Sequence, residues 1–114
     1  MYVGLTVAGC ASLVDIIPSR SMTDSAIVET QVRIGMQLQT DSSLPQTIES
    51  LPIRSGYANR ITDGWRRPLI YAVNKDSFTL TSLGKDGLPG GTGDNADVVA
   101  TFRIVNGKPE EVRP

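Results

Sequence analysis

Histidine is absent from this chain of 114 residues, and cysteine occurs once. The first absence removes the commonest general base and metal ligand, and with them any Ser-His-Asp triad. A single thiol excludes an internal disulfide framework and a four-thiolate zinc site. No charge of one sign dominates: 11 Lys and Arg stand against 12 Asp and Glu, a formal net charge of −1. Nucleic-acid binders carry a basic patch or a high pI, so no nucleic acid is expected as partner. With no nucleophile–base pair in view, neither an enzyme nor a small-molecule substrate is expected. Aromatics are also scarce, with two Phe, three Tyr and one Trp, and these must anchor whatever core forms. The length suits one domain with one modest core.

Residues 1–17 are mostly apolar and carry one charge, Asp15. They fall short of the roughly 20 apolar residues that a spanning helix needs, and no Lys or Arg precedes them as in a secretory signal. Pro18-Ser19-Arg20-Ser21 reads as a linker closing a segment 1–21. Thr23 or Asp24 can cap a helix over 22–38. Ile27, Ile34 and Leu38, with Val28 and Val32 beside them, outline its apolar stripe, and a core role is preferred for them over a ligand role. Glu29, Arg33 and Gln37 fall on another face, with Glu29 and Arg33 in the favourable i,i+4 order. Gly35 weakens this helix by about 1 kcal/mol relative to Ala.

Pro45 and Pro52 bracket a short second helix over 45–51, and Thr62-Asp63-Gly64-Trp65 reads as a turn. Strands are expected over 69–73 and 77–83, joined by a hairpin at Asn74-Lys75-Asp76, and over 97–105. Residues 106–114, polar with two prolines, read as a flexible tail. The class is therefore α+β, an N-terminal helix on a small antiparallel sheet of three or four strands.

The densest run of glycines lies between the second and third strands, from Gly84 to Gly93. Around it stand Asp86, Asp94, Asn95 and Asp97. Such a loop is floppy and self-repelling alone, whereas Ca²⁺ accepts six to eight oxygens in flexible geometry. An EF-hand is excluded, since no Glu lies between Asp86 and Asp97. The nonapeptide calcium repeat occurs once, and that fold needs several copies. Gly91-Thr92-Gly93-Asp94-Asn95-Ala96 satisfies G-x-G-x-x-A, but it leads into a strand and not the helix that a dinucleotide site needs. Asp, Asn and Gly serve turns and calcium alike, so composition leaves a solvated turn and a calcium loop equally open.

The segment from Ser82 to Val98 resembles the C-terminal calcium loop of the major pseudopilin of type II secretion systems, the general secretion pathway protein G family. Thr62-Asp63-Gly64-Trp65-Arg66-Arg67-Pro68-Leu69-Ile70-Tyr71 resembles that family's D-x-W-G-x-P-x-x-Y element. Together they cover roughly residues 44–102 in the family's order. The resemblance implies a long helix on a small antiparallel sheet, with Ca²⁺ held by Asp86, Asp94 or Asn95, and Asp97. Backbone oxygens near Leu83 and Leu88 would complete the shell, and Trp65 and Tyr71 would join the core. Arg66 stands where the family has Gly, which is tolerable if its φ is negative.

Residues 1–17 do not carry the family's Gly-Phe processing site. Instead Val7-Ala8-Gly9-Cys10 resembles a bacterial lipobox, with Cys10 as the lipidated residue. Nine residues are short for such a signal, which places the expected precursor start upstream of Met1. In a plain reading Cys10 is a small apolar residue within a hydrophobic stretch. The resemblance implies a calcium-stabilised, non-enzymatic pseudopilin-like subunit of a type II secretion apparatus. It would sit in the periplasm, anchored to the membrane through its N-terminus, with other pseudopilins or envelope secretion proteins as partners. The alternative is a lipid-anchored periplasmic binding protein that uses the same fold without entering a filament.

Overall fold

The computed structural model describes residues 18–113; Cys10 and the rest of the expected membrane segment lie outside them. Helix α1 spans Ser19–Leu38, followed by strands β1 (Ile70–Asn74), β2 (Ser77–Ser82), β3 (Val98–Val105) and β4 (Lys108–Glu111). The strands form one antiparallel sheet in the order β1-β2-β3-β4, and α1 packs on it, so the fold is α+β.

The helix begins earlier than its side-chain signals suggest. Pro18 is the N-cap, with no side-chain cap bond, and the stretch expected as a linker forms the first turn. Thr23 lies inside, fully buried. Its hydroxyl donates to the Ser19 carbonyl at 2.8 Å and accepts from the Gly64 amide at 2.8 Å. The buried face runs through Thr23, Ala26, Ile27, Thr30, Arg33 and Ile34, and Val28, expected beside the apolar stripe, is exposed. Arg33, expected on the polar face, is only 3% exposed. It does not pair with Glu29, whose carboxylate accepts from the Asn59 amide. Among the described residues the sole ion pair joins Arg113 and Glu111.

Residues 45–51 form no helix; the chain there passes through bends and turns. Leu44, Ile48 and Leu51 are nevertheless buried, and the Tyr71 hydroxyl donates to the Pro45 carbonyl at 2.7 Å. Burial pushes the Tyr71 pKa above its ordinary value. This segment caps the core as an irregular lid held by its apolar side chains.

Period-two alternation places Phe78, Leu80 and Ser82 of β2 on the inner face, where each row of the sheet is matched across strands. Phe78 faces Val73 on one side and Phe102 on the other, while Leu80 faces Tyr71 and Ala100. The Phe78 and Phe102 rings stack at 5.0 Å and 21°. Trp65, expected in this core, is half-buried and outside it. The tight turn over 62–68 holds its backbone at the end of the sheet.

Residues 106–114 are not a flexible tail throughout. Asn106 and Gly107 both have positive φ, 53° and 78°, the geometry of the two-residue hairpin turn that suits strand twist. They return the chain into β4, where Pro109 sits on an edge strand that does not need its missing N–H. Gly35 of α1 faces that proline, and the Gln31 side chain donates to its carbonyl at 3.1 Å.

Candidate metal site in the loop between β2 and β3

The loop over 83–97 leaves β2 and returns to β3 with its two arms in contact. Gly84 has φ +80°, and a Cβ there would lie 2.7 Å from the Asn95 carbonyl oxygen. No other residue fits both that backbone region and that approach. The Lys85 amide donates to the Asp94 carbonyl across the arms at 2.8 Å. Gly93–Asn95 forms a single 3₁₀ turn before β3.

The expected ligands are distributed unevenly along this path. Leu83 is half-buried, while Leu88 is exposed with Asp86, Asp94 and Asn95. Asp86 accepts from the Leu88 amide at 3.1 Å, a local turn. Asp97 is different. Its Oδ2 accepts from the Gly90 amide at 3.1 Å, and its Oδ1 is buried without any partner. A buried carboxylate oxygen left unpaired is costly, and a hard cation is the kind of group that would satisfy it. Among the described residues no three acidic side chains converge on one point. The donor set of carboxylates, an amide and carbonyls nevertheless suits Ca²⁺ in kind, and Asp97 Oδ1 is the oxygen among them that is buried without a partner.

Sequence reasoning missed the polar scaffold under the loop. Asp63 is 3% exposed. Its Oδ1 accepts from the amides of Trp65 and Arg67, both at 2.9 Å, and its Oδ2 accepts from the Ser82 hydroxyl at 2.7 Å. That hydroxyl in turn accepts from the Gly84 amide at 3.2 Å, so one carboxylate fixes both the 62–68 turn and the start of the loop. The available signal was Asp at the head of a turn, where its side chain can bond the backbone two residues on.

Within this turn Arg66 adopts φ +70°, so the negative φ that would make an Arg tolerable in place of the family's Gly is not met. A left-handed conformation costs an ordinary L-residue roughly 1–2 kcal/mol, partly offset against Gly by glycine's larger entropy loss. Arg66→Gly should therefore raise stability by about 0.5–1 kcal/mol, read as a higher urea midpoint at unchanged slope. A lower midpoint would mean that the exposed Arg66 side chain makes a compensating contact.

The family model described as Type II secretion system (T2SS), protein G matches residues 36–101, more than half of the chain. That stretch holds the last three residues of α1, the 62–68 turn, β1, β2, the whole loop and the first half of β3. No curated protein and no solved structure matches. The turn, β1, β2 and the loop occur together within the residues that the family model spans, and the chain belongs to the type II secretion system protein G family.

Proposed function

We propose that this chain is a non-enzymatic, calcium-stabilised pseudopilin-like subunit of a type II secretion apparatus. It works with other components of that machinery at the bacterial envelope, its folded part in the periplasm and its N-terminal segment, with Cys10 lipidated, at the membrane. The family match supports the secretion role, and the family is structural rather than catalytic. No helix among the described residues is long and apolar enough to cross a membrane.

The unpartnered Asp97 Oδ1 carries the calcium reading. Asp86, Asp97 and one or both of Asp94 and Asn95 would hold the ion, with carbonyls of Leu83 and Leu88. Bound calcium would neutralise the acidic loop and fix its exposed tip. At a hundredfold excess over Kd, the ion would add about 2.7 kcal/mol to stability.

The test is a pair of melting curves, one in chelator and one in millimolar Ca²⁺. The wild-type midpoint should rise by roughly 10 °C, and Mg²⁺ should substitute poorly because it keeps its waters. Asp86→Ala and Asp97→Asn should each remove the rise. Asp97→Asn should also melt no lower than wild type in chelator, since it removes the charge from a carboxylate whose buried Oδ1 has no partner. Equal wild-type midpoints with and without calcium would leave the loop as a solvated acidic turn.

A further inference from the structure

Two cationic side chains reach the loop, and both bind backbone oxygens. Arg67 donates from Nη1 to the Gly84 carbonyl at 2.8 Å and from Nη2 to the Lys85 carbonyl at 3.0 Å. Arg20 donates from Nη1 to the carbonyls of Gly93 at 3.2 Å and Ala96 at 3.0 Å. One guanidinium therefore holds the outgoing arm and the other holds the returning arm. They come from different elements, Arg67 from the 62–68 turn and Arg20 from the first turn of α1. We propose that Arg67 and Arg20 are the positioning residues of this loop: they hold its arms closed through four carbonyls without any metal, and Arg67 thereby sets the loop's affinity for calcium. The affinity half rests on the calcium reading above; the closing half does not.

Several features separate this arrangement from casual surface contacts. The Arg67 backbone is itself tied down, its amide donating to Asp63 and its carbonyl accepting from the Asp63 amide at 2.8 Å. The loop wraps onto the guanidinium so closely that a Cβ on Gly87 would lie 2.7 Å from Arg67 Nε. Hydrogen bonds from an ionised donor are roughly twice as strong as neutral ones, and a planar fork can serve two adjacent carbonyls where an ammonium serves as a point charge. The chain already brings Gly84 against Asn95, so the arms need holding rather than folding. Binding to a loop held closed loses less ordering entropy than binding to an open one.

Charge works in the opposite direction, since a guanidinium repels a nearby cation. Arg67→Lys separates the two effects, because it keeps the positive charge and loses the fork. In chelator, amide exchange at Lys85, whose N–H bonds across the arms, should speed about tenfold or more in both Arg67→Lys and Arg67→Gln. In Arg20→Gln the amides of Asn95 and Ala96 should exchange faster, and in all three variants Leu80 in β2 should keep its protection. Unchanged exchange at Lys85 in both Arg67 variants would overturn the closing role. In a calcium titration followed by melting temperature, Arg67→Lys should need several-fold more Ca²⁺ than wild type for half of the rise. An equal requirement would overturn the affinity role. A wild-type protein indifferent to calcium would sink both the calcium reading and the affinity role, and the chelated exchange would still decide the clamp.

Discussion

Phe78→Ala should lower the unfolding free energy by about 3–5 kcal/mol, the range for a buried aromatic cut back to Ala. Phe78 is 1% exposed and central to the inner face. It stacks on Phe102, lies 5.9 Å from the Tyr71 ring, and faces Val73 across β1. The cavity left between the Phe102 and Tyr71 rings adds its own term to the lost transfer energy. A domain of this size holds roughly 5–15 kcal/mol in total, and the variant should be marginal at 37 °C. Val99→Ala provides the control, since Val99 is 58% exposed on the outer face and should change stability by less than about 0.5 kcal/mol. Urea unfolding checks both. A Phe78→Ala loss below about 1 kcal/mol would mean that the core collapses around the missing ring and that the stacked pair does not anchor it.

The inner face of β2 was legible because alternation of Phe78, Leu80 and Ser82 with threonines is a period-two pattern that only a sheet satisfies. The hairpin at Lys75-Asp76 was legible for the same reason, with turn residues between two alternating runs. The Asn106-Gly107 pair carried an equally direct hairpin signal, and the two prolines of the tail concealed it. Proline excludes a central strand but not an edge strand whose free side needs no donor. The start of α1 was hidden because Pro18 caps it sterically rather than through a side-chain oxygen, so Thr23 and Asp24 looked like the boundary. The segment over 45–51 had prolines placed to open and close a helix, but its Ile48 and Leu51 are buried in the core without one.

The loop was recognisable from composition, and its outline of glycines and acids is what the structure contains. What holds it was not recognisable, because Arg20, Asp63 and Arg67 act on it from distant parts of the sequence. A buried arginine or aspartate reads as a surface residue until the carbonyls and amides that face it are known. Polar residues on a buried face are therefore where reading by hydrophobic pattern fails in this chain, and Arg33 is the strongest case.

Arg33→Ala should cost about 3 kcal/mol, and the order of three variants at this position should show why. The guanidinium donates from Nε to the Pro52 carbonyl at 2.9 Å, from Nη1 to Asn59 at 3.1 Å and from Nη2 to Leu51 at 3.2 Å. One side chain thus pins both ends of the 51–59 segment to α1. Each acceptor left buried and unpaired costs roughly 1–3 kcal/mol. Removing a buried charge returns part of that sum, because desolvating a guanidinium is itself expensive. Arg33→Met fills the volume and removes the charge, and should be the mildest of the three. Arg33→Lys keeps a buried charge that cannot span three separated carbonyls, and should be no milder than Ala. A benign Lys variant would show that positive charge alone suffices and that the fork is dispensable. Because all three partners are neutral, the Arg33→Ala loss should be the same in 0.1 M and 1 M NaCl, where the Debye length falls from about 10 to 3 Å. A loss halved by salt would instead point to a carboxylate, with Glu29 one turn earlier as the candidate, and would overturn the carbonyl account of this residue.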